Sequence, residues 1–247
     1  MKRHLLTLCA IISLLAAPAR ALASNEEAIA TLNLSRFALP EYPPGVRQAG
    51  IAEGTVIVAL ETRQAAAGPV GEFLVLSASD PRFIDSVNRA IRAWQFAAPK
   101  AGQPTLATIG SGPTVIRFQF VSTGVVMISV PDFQAMRTAS TTTPVPPTIV
   151  LPTFSDLDRA PTALAQPMPA YPAALRAKPV PGTAAVRFYV DTEGRVRLPT
   201  VTSASGPEFA EAALGVLANW RFEPPQLSGK PVIAIGTWTF NFGPTSR

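Results

Sequence analysis

The sequence predicts an α+β protein with two tandem small domains, each a three-stranded antiparallel sheet packed by one helix in the order β-β-α-β. An amphipathic helix pattern occurs twice, and the interval from its Phe to its Trp is 11 in both copies, Phe83 to Trp94 and Phe209 to Trp220. In each copy two β-rich segments precede the helix and one follows it. A spacing that recurs with matching flanks indicates a duplicated unit.

The second copy is the more regular one. A strand is predicted over 182–190, followed by a turn at 191–194 and a helix that Ser205 and Glu208 start as a capping box. Apolar residues then recur at three- and four-residue steps, namely Phe209, Ala213, Val216, Leu217 and Trp220. Two prolines end the helix, and alternating aromatic residues predict a closing strand over 238–242.

The first copy has the same order with a longer hairpin. Strands are predicted over 54–60 and 72–76, a helix over 81–94, and a closing strand over 114–120. The apolar segment 125–130 extends this sheet or covers it. Domain 1 is therefore assigned to residues 40–122 and domain 2 to residues 167–247.

The remaining segments have distinct compositions. Residues 1–23 have a basic start, a 13-residue apolar run and the small-x-small residues Ala21-Leu22-Ala23, which favours a cleaved signal peptide. An uncleaved membrane anchor is the alternative, but 13 helical residues span only about 20 Å of a bilayer core of about 30 Å. Residues 24–39 form an N-terminal extension, and 123–166 is a linker rich in Thr and Pro.

Cleavage of the signal would narrow the possible chemistry. It removes three of the 21 basic residues, leaving 18 against 16 acidic residues and a net charge of +2, which is too weak to indicate nucleic-acid binding. It also removes His4 and Cys9, the chain's single His and single Cys. A Ser-His-Asp or Cys-His site and the usual zinc ligand sets are then excluded. We expect no catalytic residues, no metal and no cofactor.

Carboxylates are the remaining candidates for catalysis. Asp191, Glu193, Glu208 and Glu211 lie in the second copy. Asp191 and Glu193 are better explained as turn residues, and Glu208 as a helix cap. A glycosidase-like carboxylate pair therefore has no support, and the protein is not expected to be an enzyme.

The ordered set of motifs resembles the C-terminal domain of TonB. In the second copy the set comprises Tyr171-Pro172, Gly182, Gly194, Trp220-Arg221-Phe222-Glu223-Pro224, Gly229-Lys230-Pro231 and Phe240-Asn241-Phe242. The first copy matches at Tyr42-Pro43, Gly54, Trp94-Gln95-Phe96, Pro99, Gly102-Gln103-Pro104 and Phe118-Gln119-Phe120. The resemblance implies a periplasmic protein associated with transport across the envelope.

The same resemblance implies a mode of binding. TonB-like domains bind the N-terminal box of an outer-membrane transporter as an added strand beside their last strand, with backbone hydrogen bonds giving affinity. Carried onto this chain, the predicted partner-binding residues are Trp238, Thr239, Phe240, Asn241 and Phe242, with Arg117 and Gln119 on the duplicate edge. The partner is a protein or peptide, and a homodimer through a sheet edge is a further possibility.

Three departures from the family distinguish the alternative functions. The Ser and His of the family's membrane anchor are not matched as a pair, the long charged proline spacer is missing, and no Gln stands three places before Tyr42 or Tyr171. A secreted peptide-binding protein is therefore the leading hypothesis. A membrane-anchored energy transducer and a purely structural envelope protein with blocked edges are the alternatives.

Overall fold

The computed structural model describes residues 25, 32–61, 67–98, 112–123, 126–129 and 150–243. The predicted signal segment 1–23 lies outside these residues. Among the helices that the structure describes, none is long and apolar enough to cross a membrane.

The structure has three α-helices and fourteen strands within its described residues. The helices are α1 (Pro44–Gln48), α2 (Arg82–Arg92) and α3 (Pro207–Leu217). The strands are β1 (Leu34–Arg36), β2 (Glu53–Leu60), β3 (Gly68–Pro69), β4 (Phe73–Ala78), β5 (Gln95–Phe96), β6 (Thr114–Val121), β7 (Val126–Ser129), β8 (Ala163–Ala165), β9 (Gly182–Val190), β10 (Val196–Ala204), β11 (Arg221–Phe222), β12 (Gln226–Leu227), β13 (Lys230–Pro231) and β14 (Ala234–Phe242). The α+β prediction is confirmed. These elements form two compact units, β1–β7 with α1 and α2, and β8–β14 with α3.

The first unit is built on a four-stranded antiparallel sheet in the order β4-β2-β6-β7. This sheet has one strand more than the three predicted, because residues 126–129 of the apolar segment expected to extend or cover the sheet form β7 and pair along β6. Val126 and Ile128 lie opposite Phe120 and Phe118, and all four side chains are buried. Pairing β7 to the sheet thus places its apolar residues in the core on the helix side.

The second unit has the predicted three-stranded sheet, in the order β10-β9-β14. β9 is the central strand and pairs antiparallel with both neighbours. The turn before β10 occurs where predicted. Gly194 has φ +78°, and a Cβ there would lie 1.9 Å from the carbonyl oxygen of Phe222, so only glycine fits.

Each sheet is covered by one helix and one buried tryptophan. Phe83, Val87 and Ile91 of α2 pack with Trp94 in the first core. The second core contains the corresponding residues of α3 with Trp220, and both tryptophans are fully buried. The interpretation of these tryptophans as core residues is confirmed.

Four contacts occur in the same form inside each of the two units. Each Tyr of a Tyr-Pro pair donates its hydroxyl to a carbonyl nine residues ahead, Tyr42 to Ile51 and Tyr171 to Val180. Each Trp donates its indole N–H to a carbonyl upstream, at 2.7 Å from Trp94 to Ala38 and 3.0 Å from Trp220 to Pro167. In the third contact a phenylalanine ring packs against a glycine, Phe83 on Gly54 and Phe209 on Gly182. In the fourth, a serine and a threonine form two hydrogen bonds, Ser79 with Thr55 and Ser205 with Thr183.

One local prediction fails at the start of α3. The helix begins at Pro207 with Gly206 as its N-cap, and no side chain caps it. Ser205 instead accepts a hydrogen bond from the Thr183 amide at 3.0 Å, and its own amide donates to the Thr183 carbonyl at 2.9 Å. The hydroxyl thus fastens the end of β10 to β9 and is not available to the helix.

The predicted linker 123–166 is not a free connection in the parts that are described. Its first part contains β7, and residues 152–165 pack on the second unit through Phe154 and β8. Residues 130–149 lie outside the described residues.

Candidate functional site

The outer margin of β14 is the candidate site. β14 pairs with β9 along all nine of its residues in constant register, from Ala234 opposite Val190 to Phe242 opposite Gly182. Within the described part of the chain no named strand pairs with its other side, so β14 is an edge strand. An edge strand of this kind presents a row of backbone N–H and C=O groups to an incoming strand.

One hydrogen bond identifies which backbone groups face outward. The Ile235 N–H donates to the Pro152 carbonyl at 2.8 Å, on the side away from β9. Because the register of β14 is regular, the backbone groups of alternate residues point the same way. The N–H and C=O groups of Thr237, Thr239 and Asn241 therefore face outward, while those of Trp238 face β9.

The opposite edge of the same sheet is poorly suited to pairing. β10 contains Pro199, which has no N–H, and its register with β9 shifts twice. Leu198 in the same strand has φ +48°. β14 has no proline, no charged residue and no register shift. Proteins usually protect a long flat edge with such features, and β14 lacks them.

The side chains of β14 separate into two groups. Phe240 and Phe242 are 1% and 6% exposed and lie in the core, so these two predicted contact residues cannot reach a partner with their rings. Thr239 and Asn241 are exposed on the face away from the helix. Trp238 lies on the helix side and is 42% exposed, with its ring 5.6 Å from that of Trp220 at 83°.

Sequence reasoning missed Thr237. The alternation of aromatic residues predicts that the strand begins at Trp238, but it begins four residues earlier, at Ala234. Thr237 is exposed and its backbone groups face outward with those of Thr239. Ile235 could have indicated the longer strand, because it lies two residues before Thr237 and continues the strand pattern upstream.

A shallow depression lies beside this edge. It has a volume of about 320 Å³ and is lined by residues of all three strands, namely Ala185, Val186, Thr202, Thr237, Trp238 and Thr239. The lining contains no charged group.

The duplicate edge predicted in the first unit is not open. Arg117 and Gln119 lie on β6, which is an interior strand with β2 on one side and β7 on the other. Arg117 is opposite Ser129, and Gln119 is opposite Met127. The prediction that a guest strand pairs beside Arg117 and Gln119 is therefore corrected, because β7 already occupies that edge.

The outer edge of β7 is itself partly occupied. Asn25 donates its side-chain amide to the Val126 carbonyl at 3.1 Å, and its side-chain oxygen accepts the Ile128 N–H at 2.7 Å. These two bonds have the pattern that a neighbouring strand would supply, and Asn25 is 6% exposed. The Asn25 side chain thus provides hydrogen-bond partners for two backbone groups on the outer edge of β7.

Asp191 and Glu193 have structural partners in the turn between β9 and β10, where Glu193 pairs with Arg195 at 2.9 Å. Asp191 accepts hydrogen bonds from the amides of Glu193 and Arg195 and from the Arg195 guanidinium, at 2.9–3.0 Å. Burial acts against its ionisation, but these hydrogen bonds outweigh burial and hold the pKa of Asp191 below its usual value. Among the described residues no group of three or more His, Cys, Asp or Glu side chains is placed to hold a metal ion.

One part of the chain matches a known family. Residues 167–244 match the family model described as Gram-negative bacterial TonB protein C-terminal. A search of curated proteins gives no match.

Two solved structures are similar to part of the chain. The solution structure of the Pseudomonas aeruginosa TonB C-terminal domain is 28% identical, and the match covers 35% of this chain and 89% of that one with a TM-score of 0.32. A TonB2 protein from Vibrio anguillarum is 22% identical, and the match covers 44% of this chain and 98% of that one with a TM-score of 0.29.

Proposed function

We propose that this protein, whose residues 167–244 match the family model of the TonB C-terminal domain, acts in TonB-like transport at the cell envelope by binding extended peptide segments along β14. The partner is a segment of another envelope protein, such as the N-terminal box of an outer-membrane transporter. The protein works in the periplasm. The observation that supports this proposal most directly is the uncharged and regular outer edge of β14, along which no described strand pairs beyond the bridge at Ile235.

Backbone hydrogen bonds supply the attraction at this edge, but the cost of ordering a flexible guest offsets most of it. A backbone hydrogen bond contributes about 0.5–1.5 kcal/mol net, while ordering each residue of a flexible guest costs about 1–2 kcal/mol. The two quantities are similar, so side-chain contacts decide whether a guest binds. Trp238 offers the largest such contact, because its ring is exposed beside the edge and supported by Trp220. Weak, reversible binding is expected for a site of this size.

The two units have different roles in this proposal. We infer that the first unit is a second TonB-like copy, because it shares the four contacts described above. Its closing strand is covered by β7, so it does not bind a strand there. It serves as a structural unit, and the second unit carries the binding edge. The alternative of blocked edges thus applies to the first unit alone.

The N-terminal segment decides between a secreted protein and an anchored transducer. Cleavage after Ala23 gives a periplasmic binding protein, whereas retention of residues 1–23 gives a short membrane-anchored transducer. N-terminal sequencing of the exported protein tests this part. A first residue of Ser24 supports the secreted form, and an intact Met1 supports the anchored one.

Titration of the isotopically labelled exported protein with a transporter N-terminal peptide tests the binding edge. Amide signals of residues 237–242 are expected to shift. Thr239→Pro is expected to abolish these shifts, because it removes an outward N–H while an edge strand tolerates proline. Thr239→Ala retains that N–H and is expected to bind at a similar affinity. Equal binding by the two variants, or unchanged signals in β14, would exclude this edge.

A further inference from the structure

A segment upstream of the second unit touches the same edge. Residues 152–165, called the strap, begin beside β14 and end as β8 against β11. Ile235 donates its N–H to the Pro152 carbonyl at 2.8 Å, and Thr153 forms a parallel bridge with Ile235. The first outward-facing position of β14 is therefore already paired.

The strap leaves the edge directly after this position. The Asp156 carboxylate accepts the Thr153 N–H at 2.8 Å and the Thr153 hydroxyl at 2.6 Å, which closes a 3-10 turn over Phe154–Asp156. Phe154 turns inward and packs on Phe188 and Phe222, with ring centroids 6.3 and 5.5 Å apart. The turn and the buried ring together hold the strap at Ile235 and direct it away from Thr237.

Further contacts hold the distal part of the strap. The Asp158 carboxylate accepts the amides of Ser228 and Gly229, both at 2.8 Å. Arg159 pairs with Glu223 at 2.8 Å, and the Glu223 amide donates to the Thr162 carbonyl. The strap is thus a fixed part of the second unit.

We propose that the strap sets the length of the segment that this edge accepts, an inference that rests on the proposed function. Among the described residues, none pairs with the outer side of β14 from Thr237 to Phe242, which is about 20 Å at about 3.3 Å per residue. A guest of six residues fills this stretch. A longer guest gains no further pairing beyond Thr237, because Pro152 and Thr153 occupy the next position.

The contacts favour an extended segment of another protein as the occupant. The strap shows that this edge pairs with an extended segment from outside the sheet. The outward groups of Thr237 and Thr239 flank Trp238, so the guest residue in register with Trp238 lies on the same face as its exposed ring. A β-branched or aromatic residue at that guest position is favoured, because such cross-strand pairs stabilise a sheet.

Binding of capped six- and nine-residue peptides, cut from the same transporter N-terminus and sharing the same six residues, tests the inference. The exported wild-type protein is expected to bind both within about twofold. Phe154→Ala frees the outward N–H and C=O of Ile235 and is expected to raise the ratio of nine-residue to six-residue affinity about threefold above wild type, because two added hydrogen bonds outweigh the ordering of the one guest residue that pairs there. Asp156→Ala opens the turn without altering the aromatic core and is expected to change the ratio in the same direction. Val150→Ala, at an exposed site before the strap, is the matched control and keeps the wild-type ratio.

Each remaining outcome has one meaning. An equal gain from the longer peptide in wild type and in both strap variants overturns the length limit but leaves the proposed function standing. No binding by any form, with native circular dichroism, overturns the proposed function and the inference with it. The protein could also self-associate in a way that peptide does not displace but that Thr239→Pro removes. That result would show that a second copy of the protein occupies the edge, and it would overturn the assignment of a peptide as the occupant.

Discussion

Replacing Gly182 with alanine is expected to destabilise the second unit through one steric contact. A Cβ at this position would lie 2.3 Å from two carbons of the Phe209 ring and 2.6 Å from a third. Ordinary contact between carbon atoms lies near about 3.5–4.0 Å, so the ring or the strand must move by about 1 Å. Overpacking of this kind typically costs about 1–3 kcal/mol.

The ring has little room to move. Phe209 is 2% exposed, and its centroid is 5.0 Å from that of Phe242 and 6.1 Å from that of Tyr171. A displaced ring would therefore push against the closing strand and the tyrosine corner. We expect the free energy of unfolding of the second unit to fall by about 2 kcal/mol, which lowers the urea midpoint by about 1 M.

Gly215→Ala is the matched control in the same unit. Gly215 lies in α3, and a Cβ added there would meet no atom within 4 Å, so alanine is expected to stabilise the helix by about 0.5–1 kcal/mol. Urea titration followed through the indole N–H signal of Trp220 measures both variants. A Gly182→Ala protein as stable as wild type would refute the packing argument, and so would a destabilised Gly215→Ala protein.

Three further outcomes are expected. Asn25→Ala removes two buried hydrogen bonds at the edge of β7 and should lower the free energy of unfolding of the first unit by about 1–3 kcal/mol. Urea titration followed through the Trp94 indole signal measures this change. An unchanged midpoint would show that Asn25 does not stabilise the edge of β7. Trp220→Phe removes the donor to the Pro167 carbonyl and should lower the free energy of unfolding by about 1–3 kcal/mol. Trp238→Phe, at a half-exposed ring, should change it less. The reverse order in urea titrations of the two variants would contradict the assignment of Trp220 to the core. Hydrogen bonds depress the folded pKa of Asp191 despite burial, so its contribution to stability is present above the unfolded pKa of about 3.9 and is lost as pH falls through the folded pKa. Asp191→Asn should therefore be less stable than wild type at pH 7, and the difference in unfolding free energy should shrink in acid. A difference that does not depend on pH would contradict this expectation.

The core of each unit follows from the sequence because it depends on local periodicity. The helix stripes at Phe83–Trp94 and Phe209–Trp220 and the alternation of Phe240 with Phe242 place these side chains on one face whatever the surroundings. The turn glycine Gly194 was predictable for the same reason, since it lies in a short turn between two clear strands. Ser205 was misassigned because a hydroxyl near a helix start has two possible partners, and β9 supplies the nearer one.

The tertiary structure decided which edges are open. The closing strands of the two copies look alike in sequence, yet β6 is covered by β7 and, among the described residues, no strand covers β14. Edge pairing depends on where distant segments return, and residues such as Asn25 and Phe154 act on strands far away in the chain. Local pattern determined which residues are buried, whereas the location and length of the binding edge depend on long-range hydrogen bonds that no periodicity encodes.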